Sequence, residues 1–176
     1  MGYSLRIGEA VLEWSEDRVS VDCEGATNDD APSFGDPTDK QNQRWPSYSV
    51  WADCMRKLDL TNIMFSQRNG GSGEIEWNSK WLYPLIQDHP GAAPITKGHV
   101  EYVEHKMAAY KAAHPTHIAQ YPPPKEGAKP FWGNEYKQED LVDDPKYDSA
   151  LVRGEWLLYW LRWAVANCKQ PVLVNS

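Results

Sequence analysis

The sequence lacks the features that would direct it to a membrane or a secretory route. Its longest apolar run, Trp156 to Leu161, is far shorter than the roughly 20 residues that a membrane-spanning helix needs. The first residues contain no apolar segment of the kind found in signal peptides. Arg6 stands where an N-myristoylation signal requires Ser or Thr. We therefore expect a soluble, cytoplasmic protein that makes no contact with a membrane.

Cysteine is scarce, and its placement argues against a disulfide framework. Cys23, Cys54 and Cys168 are odd in number, far apart, and form no CxxC pair. Secreted domains stabilised by disulfides carry an even number of cysteines at short spacings. The pattern therefore favours a reducing compartment and free thiols.

Acidic residues outnumber basic ones. The sequence has 25 Asp and Glu against 18 Lys and Arg, which gives a formal net charge of −7. Nonspecific nucleic-acid binding depends on a surplus of cations, so nucleic acid is disfavoured as a partner. The carboxylates are concentrated in two loops, the first with Asp29, Asp30, Asp36 and Asp39, the second with Glu139, Asp140, Asp143, Asp144 and Asp148. Such runs are typical of solvated surface, and they also suit a face presented to a basic partner protein.

The sequence also lacks a recognisable catalytic or cofactor motif. The glycine-rich loop from Arg68 to Glu74 has neither the Lys-Ser/Thr of a phosphate-binding loop nor a helix pattern behind it. The five histidines form no HExxH, and the first acidic loop lacks the spacing of an EF-hand. We expect no metal and no cofactor, and we favour a protein that is not an enzyme.

Aromatic residues are what the chain has in abundance: nine Trp and nine Tyr stand against three Phe. Both types combine a large apolar body with one polar atom, which suits cores with wet edges and binding surfaces. A chain of 176 residues can bury a sufficient core as one domain spanning 1–176. Trp156, Trp160 and Trp163 share one flank of a helical pattern, and this spacing predicts core packing.

Hydrophobic periodicity predicts an α+β fold, with an N-terminal antiparallel β-hairpin or small sheet packed by about three helices and long irregular loops. Alternation over 5–23 predicts the hairpin, and the polar stretch 25–47 predicts a long loop. A short helix should begin after Ser47 or Ser49. A longer helix should follow an N-cap at Thr96, and a mostly buried one should run from a cap at Asp148 to about Asn167, ahead of a closing strand.

Two further groups of residues are candidates for binding. Arg68 and Asn69 adjoin the glycine loop, where backbone N–H groups can approach a phosphate. Trp132, Asn134 and Tyr136 follow the proline-rich run that begins at Tyr121, and they form a polar and aromatic group that could line a groove. Packed connections are the plainer interpretation of both.

Three functions stay open, and the oligomeric state cannot be deduced from the sequence. The first is a small acidic protein-interaction protein without catalytic activity, for instance an inhibitory or phage accessory protein. It predicts an exposed apolar patch rimmed by carboxylates. The second is a small-ligand or nucleotide binder that stacks a base on Trp or Tyr and holds phosphate with Arg68. The third is a hydrolase with a dispersed Asp/His site.

Overall fold

A computed structural model describes residues 2–35, 39–71, 82–130 and 136–176. Within these residues the chain forms an antiparallel sheet with helices packed against it, so the predicted α+β class is confirmed. The strands are β1 (Leu5–Trp14), β2 (Val19–Cys23), β3 (Gln43–Arg44), β4 (Gly91–Pro94) and β5 (Pro171–Asn175). The helices are α1 (Tyr48–Lys57), α2 (Thr61–Met64), α3 (Lys97–Ala113) and α4 (Ser149–Asn167).

The long strand β1 organises the sheet, whose order is β2-β1-β5-β4 with β3 beside the start of β1. Residues Leu5–Glu9 of β1 pair with β5, and residues Ala10–Trp14 pair with β2. The predicted hairpin is therefore present, but only the first half of β1 belongs to the central sheet. The closing strand β5 lies inside the sheet, between β1 and β4, rather than at its edge.

The core is built around α4, as its nearly all-round apolar sequence predicts. Trp156 and Trp160 are only 2% and 1% exposed, and they pack in one cluster with Leu5 and Ile7 of β1. Trp163 lies at the margin of this cluster and is partly buried. The helix contacts α1, α3, β1 and β5, which explains why so few of its positions are polar.

Helix α3 has its N-cap at Thr96 as predicted, although a histidine takes the place of the usual Glu or Gln in its capping box. Nδ1 of His99 accepts from the backbone N–H of Thr96 at 3.0 Å, and Nε2 lies 2.7 Å from the carbonyl oxygen of Tyr83. Since a carbonyl can only accept, Nε2 carries the proton. Burial lowers the pKa of His99 below its usual value.

Two general expectations can be compared with the structure. Cys23, Cys54 and Cys168 are all free thiols. Within the described ranges, no helix combines the length and the apolar character that crossing a membrane requires.

Candidate functional site

The outer part of the β1–β2 hairpin, residues 10–23, extends past β5, and we call it the arm. Its register pairs Leu12 with Val21 and Trp14 with Val19, so these side chains point to the same face. They are 53%, 38%, 77% and 47% exposed in that order. Large apolar side chains are therefore presented to solvent as one continuous row.

The inner end of this row is anchored in a second, small core. Cys23 packs with Val172 and Val174 of β5, and Ala10 lies at the edge of this group. Burial raises the pKa of the Cys23 thiol to about 12, so the thiol stays protonated and behaves as a small apolar side chain. The exposed face of the arm thus continues outward from buried structure.

The arm carries many carboxylates. The stretch from residue 9 to residue 24 contains one arginine and six carboxylates, namely Glu9, Glu13, Glu16, Asp17, Asp22 and Glu24. Asp22 is paired with Arg6 at 3.2 Å, and Glu9 accepts from the backbone N–H of Lys169 at 2.6 Å. Glu13 lies with Val11 on the face opposite to the apolar row, and Glu16 and Asp17 lie in the turn beyond Trp14, so the arm is acidic at its tip and on its other face.

The first acidic loop does not present its carboxylates together. Asp29 and Asp30 are exposed, in a turn where the backbone N–H of Asp30 donates to Asn28. Asp39 instead turns inward, where its carboxylate accepts from the backbone N–H of Phe34 at 2.6 Å and lies 3.8 Å from the guanidinium of Arg44. Asp36 lies outside the described residues.

Arg44 explains why Asp39 is drawn inward. Its side chain is 4% exposed, and its guanidinium lies over the rings of Trp156 and Tyr121, 5.4 and 5.9 Å from their centroids. It also donates to the hydroxyl of Tyr121 at 3.0 Å. A cation at this depth needs an anion nearby, so the pair with Asp39 holds the loop onto α4.

The other predicted binding residues divide between described and undescribed parts of the chain. Arg68 is exposed and donates to Asp88 at 3.3 Å, and Asn69 donates to the carbonyl oxygen of Gln87 at 2.8 Å. The loop is thereby fixed beside residues 87–88, and nucleotide binding there stays a prediction. Tyr136 is half-buried. Trp132 and Asn134 lie outside the described residues.

Beside this loop lies a chain of hydrogen bonds that the sequence did not indicate. The hydroxyl of Tyr48, at the start of α1, is 2.7 Å from Nε2 of His89, and Nδ1 of His89 is 2.8 Å from Oδ1 of Asn175 in β5. The ring of Tyr3 packs edge-on against both Tyr48 and His89, at centroid distances of 4.6 and 5.1 Å. We call Tyr48, His89 and Asn175 the Tyr–His–Asn chain.

The direction of every bond in the Tyr–His–Asn chain follows from one backbone carbonyl. Nδ2 of Asn175 donates to the carbonyl oxygen of Gly91 at 3.1 Å, so Oδ1 of Asn175 is the acceptor for His89. Nδ1 of His89 therefore carries the proton, and Nε2 has a free electron pair. The hydroxyl of Tyr48 must then donate its proton to Nε2.

A second polar cluster lies at the start of α4, where the cap residue Asp148 is 7% exposed. Its Oδ2 accepts from the hydroxyl of Tyr110 and from Nδ1 of His117, both at 2.6 Å. Burial by itself would raise the pKa of Asp148, but these bonds and those of the cap outweigh it and hold the pKa below its usual value. The ring of His114 stacks on His117. Asp148 thus joins α3, the connection after it, and α4.

A shallow groove of about 430 Å³ between α3 and α4 is open to solvent. It is lined by Lys97, Val100, Glu101, Arg162, Val165 and Ala166. Among the described residues, no group of three or more His, Cys, Asp or Glu side chains is placed to hold a metal ion.

No protein-family model, curated protein or solved structure matches the chain. Function therefore has to be inferred from the geometry of this chain.

Proposed function

We propose that this protein is a protein-interaction module that binds its partner through the apolar face of the arm. The observation that carries the proposal is the exposure of Trp14, 77%, in line with three further apolar side chains on the same face. Tryptophan is enriched among the few residues that dominate binding energy in protein interfaces. A row of this kind on a projecting hairpin suits a hydrophobic cleft on another protein.

The charge around the arm indicates which kind of cleft it fits. Two copies of this chain would bring two acidic arms together, on molecules that each carry a formal charge of −7, so self-association through the arm is disfavoured. A partner with Lys and Arg around an apolar cleft is complementary in both respects.

The structure of the arm offers a matched pair of variants for the test. Trp14 lies on the apolar face, whereas Val11 is paired with Asp22 on the opposite face and is 36% exposed. Trp14→Ser should remove a central contact, which costs about 2–4 kcal/mol in interfaces of this kind and weakens binding by roughly 30-fold to 1,000-fold. Val11→Ser should change binding by less than about threefold, or roughly 0.6 kcal/mol.

The experiment is co-purification of the tagged protein from extract of its own cells, followed by binding kinetics with the partner that is recovered. We expect the wild type and Val11→Ser to retain the partner and Trp14→Ser to lose it, with all unfolding midpoints unchanged. Association should slow as salt rises, because the screening length falls from about 10 Å at 0.1 M to about 3 Å at 1 M. A partner retained equally by both variants contradicts the proposal. So does a dimer of the purified chain that Trp14→Ser abolishes.

A further inference from the structure

We propose that Tyr48 is a nucleophilic phenol that accepts an acyl group from activated esters, with His89 as its base and Asn175 as the positioning residue. The Tyr–His–Asn chain has the arrangement that activates hydroxyl and thiol nucleophiles in enzymes: a nucleophile within hydrogen-bond reach of a base, and a third group that orients the base. The contacts of 2.7 and 2.8 Å between their polar atoms lie within that reach.

The Tyr–His–Asn chain is oriented with the hydroxyl of Tyr48 toward the surface. Asn175 is 1% exposed and is held by the carbonyl of Gly91, so the orienting group is fixed in the sheet. His89 is exposed and Tyr48 is half-buried, so an ester can reach the phenol oxygen. The ring of Tyr3 packs edge-on against both side chains. A nucleophilic site requires a fixed orienting group and an accessible nucleophile, and the amide of Asn175 and the hydroxyl of Tyr48 meet these two conditions.

The reaction balances with these groups and water alone. The phenol oxygen of Tyr48 attacks the ester carbonyl carbon as its proton passes to Nε2 of His89. When the tetrahedral intermediate collapses, the carbon–oxygen or carbon–sulfur bond of the leaving group breaks, and His89 returns the proton to that group. The product is an acyl ester of Tyr48. A water molecule that gives its proton to His89 then hydrolyses this ester, and the phenol of Tyr48 is restored.

The phenol also limits the class of substrate. Acyl transfer to a phenol is favourable only from a donor whose leaving group departs at least as readily as a phenoxide. Aryl esters and thioesters satisfy this condition, whereas alkyl esters and amides do not. The site therefore suits activated acyl donors.

The test uses p-nitrophenyl acetate on the purified protein, with peptide mass mapping of the acetylated residue and p-nitrophenol release as the rate. We expect acetylation at Tyr48, its loss in Tyr48→Phe, and a rate reduced at least tenfold in His89→Gln. Tyr83→Phe is the matched control, because Tyr83 is 61% exposed and lies in the same stretch of chain as His89. It should leave the rate unchanged.

The positioning role of Asn175 has its own readout. Asn175→Asp keeps an oxygen for the Nδ1 proton of His89 and should stay reactive, whereas Asn175→Ala should react at least tenfold more slowly at an equal folded fraction. Unfolding midpoints of all variants establish that fraction. The proposal is overturned if Tyr48 is acetylated no faster than Tyr83, or if the label lies on lysines or on His89. It is also overturned if the wild type does not react and the substitutions only lower stability. Because the site lies at the Leu5 end of β1 and the arm at its Trp14 end, failure here leaves the binding proposal untouched.

Discussion

Replacing Asp148 with alanine removes four hydrogen bonds at once, and the structure allows the cost to be worked out. Oδ1 accepts from the backbone N–H groups of Ala150 and Leu151 at 2.9 and 3.1 Å, which caps α4. Oδ2 accepts from Tyr110 and His117, both at 2.6 Å. The substitution therefore acts on the helix start and on its connection to α3 together.

Each part of the cost has a known scale. Loss of a helix N-cap costs about 1 kcal/mol, and a hydrogen bond to a charged group contributes about 1.5–3 kcal/mol. Tyr110 and His117 are half-buried, so water can replace part of what they lose, and the two bonds share one oxygen and will not add fully. We expect Asp148→Ala to lower the free energy of unfolding by about 3–5 kcal/mol, within the range for breaking a buried polar pair.

The effect should also depend on pH in a defined direction. The folded-state pKa of Asp148 lies below the unfolded value of 3.8, because the hydrogen bonds from Tyr110, His117 and the cap outweigh the opposing effect of burial. The ionised carboxylate therefore stabilises the fold fully above that value, and the stabilisation is lost as pH falls through the folded pKa. The difference in unfolding free energy between wild type and Asp148→Ala should shrink below about pH 4.

The assay is urea unfolding at pH 7 and along an acid series, with Asp143→Ala as control. Asp143 is an exposed carboxylate of the same acidic loop, so its loss should change stability by less than about 0.5 kcal/mol. Tyr110→Phe, which deletes one of the four bonds, should cost about 1–2 kcal/mol. If Asp148→Ala behaves like Asp143→Ala, or if its cost stays constant through the acid range, the carboxylate does not join α3 to α4.

Two other predictions concern the core and the start of α3. Trp160→Ala should cost about 3–5 kcal/mol in denaturant unfolding, whereas Lys169→Ala, at an exposed position, should cost less than about 0.5 kcal/mol, and similar costs would contradict the assigned core. Because burial lowers the pKa of His99 from 6.5, the unfolded chain binds a proton that the folded chain resists, so stability should fall as pH drops below about 6.5. His99→Gln should flatten that slope and His105→Gln should not, which unfolding at pH 7 and pH 5 measures.

Features that depend on neighbouring residues were predictable from the sequence. The predicted caps at Thr96 and Asp148 are confirmed, and Ser47 is one of the two caps predicted for α1, because an N-cap is recognised from the few residues that follow it. The end of α4 at Asn167 was also correct. In the same way, the polar turn between two alternating runs predicted the hairpin of β1 and β2.

Features that join distant segments were not predictable. His89 and Asn175 are 86 residues apart, and nothing in either local sequence indicates the other. Similarly, the sequence predicts Asp148 as a helix cap and as part of a solvated acidic loop, whereas its side chain is buried, since its bonds to Tyr110 and His117 depend on how α3 packs beside α4. Asp39 belongs to the same polar loop as the exposed Asp29. Its side chain turns inward because it pairs with the buried Arg44.

The arm shows why alternation alone does not identify a core. Alternation of apolar and polar residues indicates that the two faces of a strand differ. It does not indicate which face another element will cover. The row that ends at Leu12 and Trp14 alternates as a buried strand does, yet β5 pairs only with the first half of β1 and leaves the outer row in solvent. An exposed apolar row beside the edge strand β2 is a risk for self-association, and charge beside such an edge opposes it. Under the proposed function, the acidic charge of the arm opposes self-association and favours a partner of opposite charge on the apolar face.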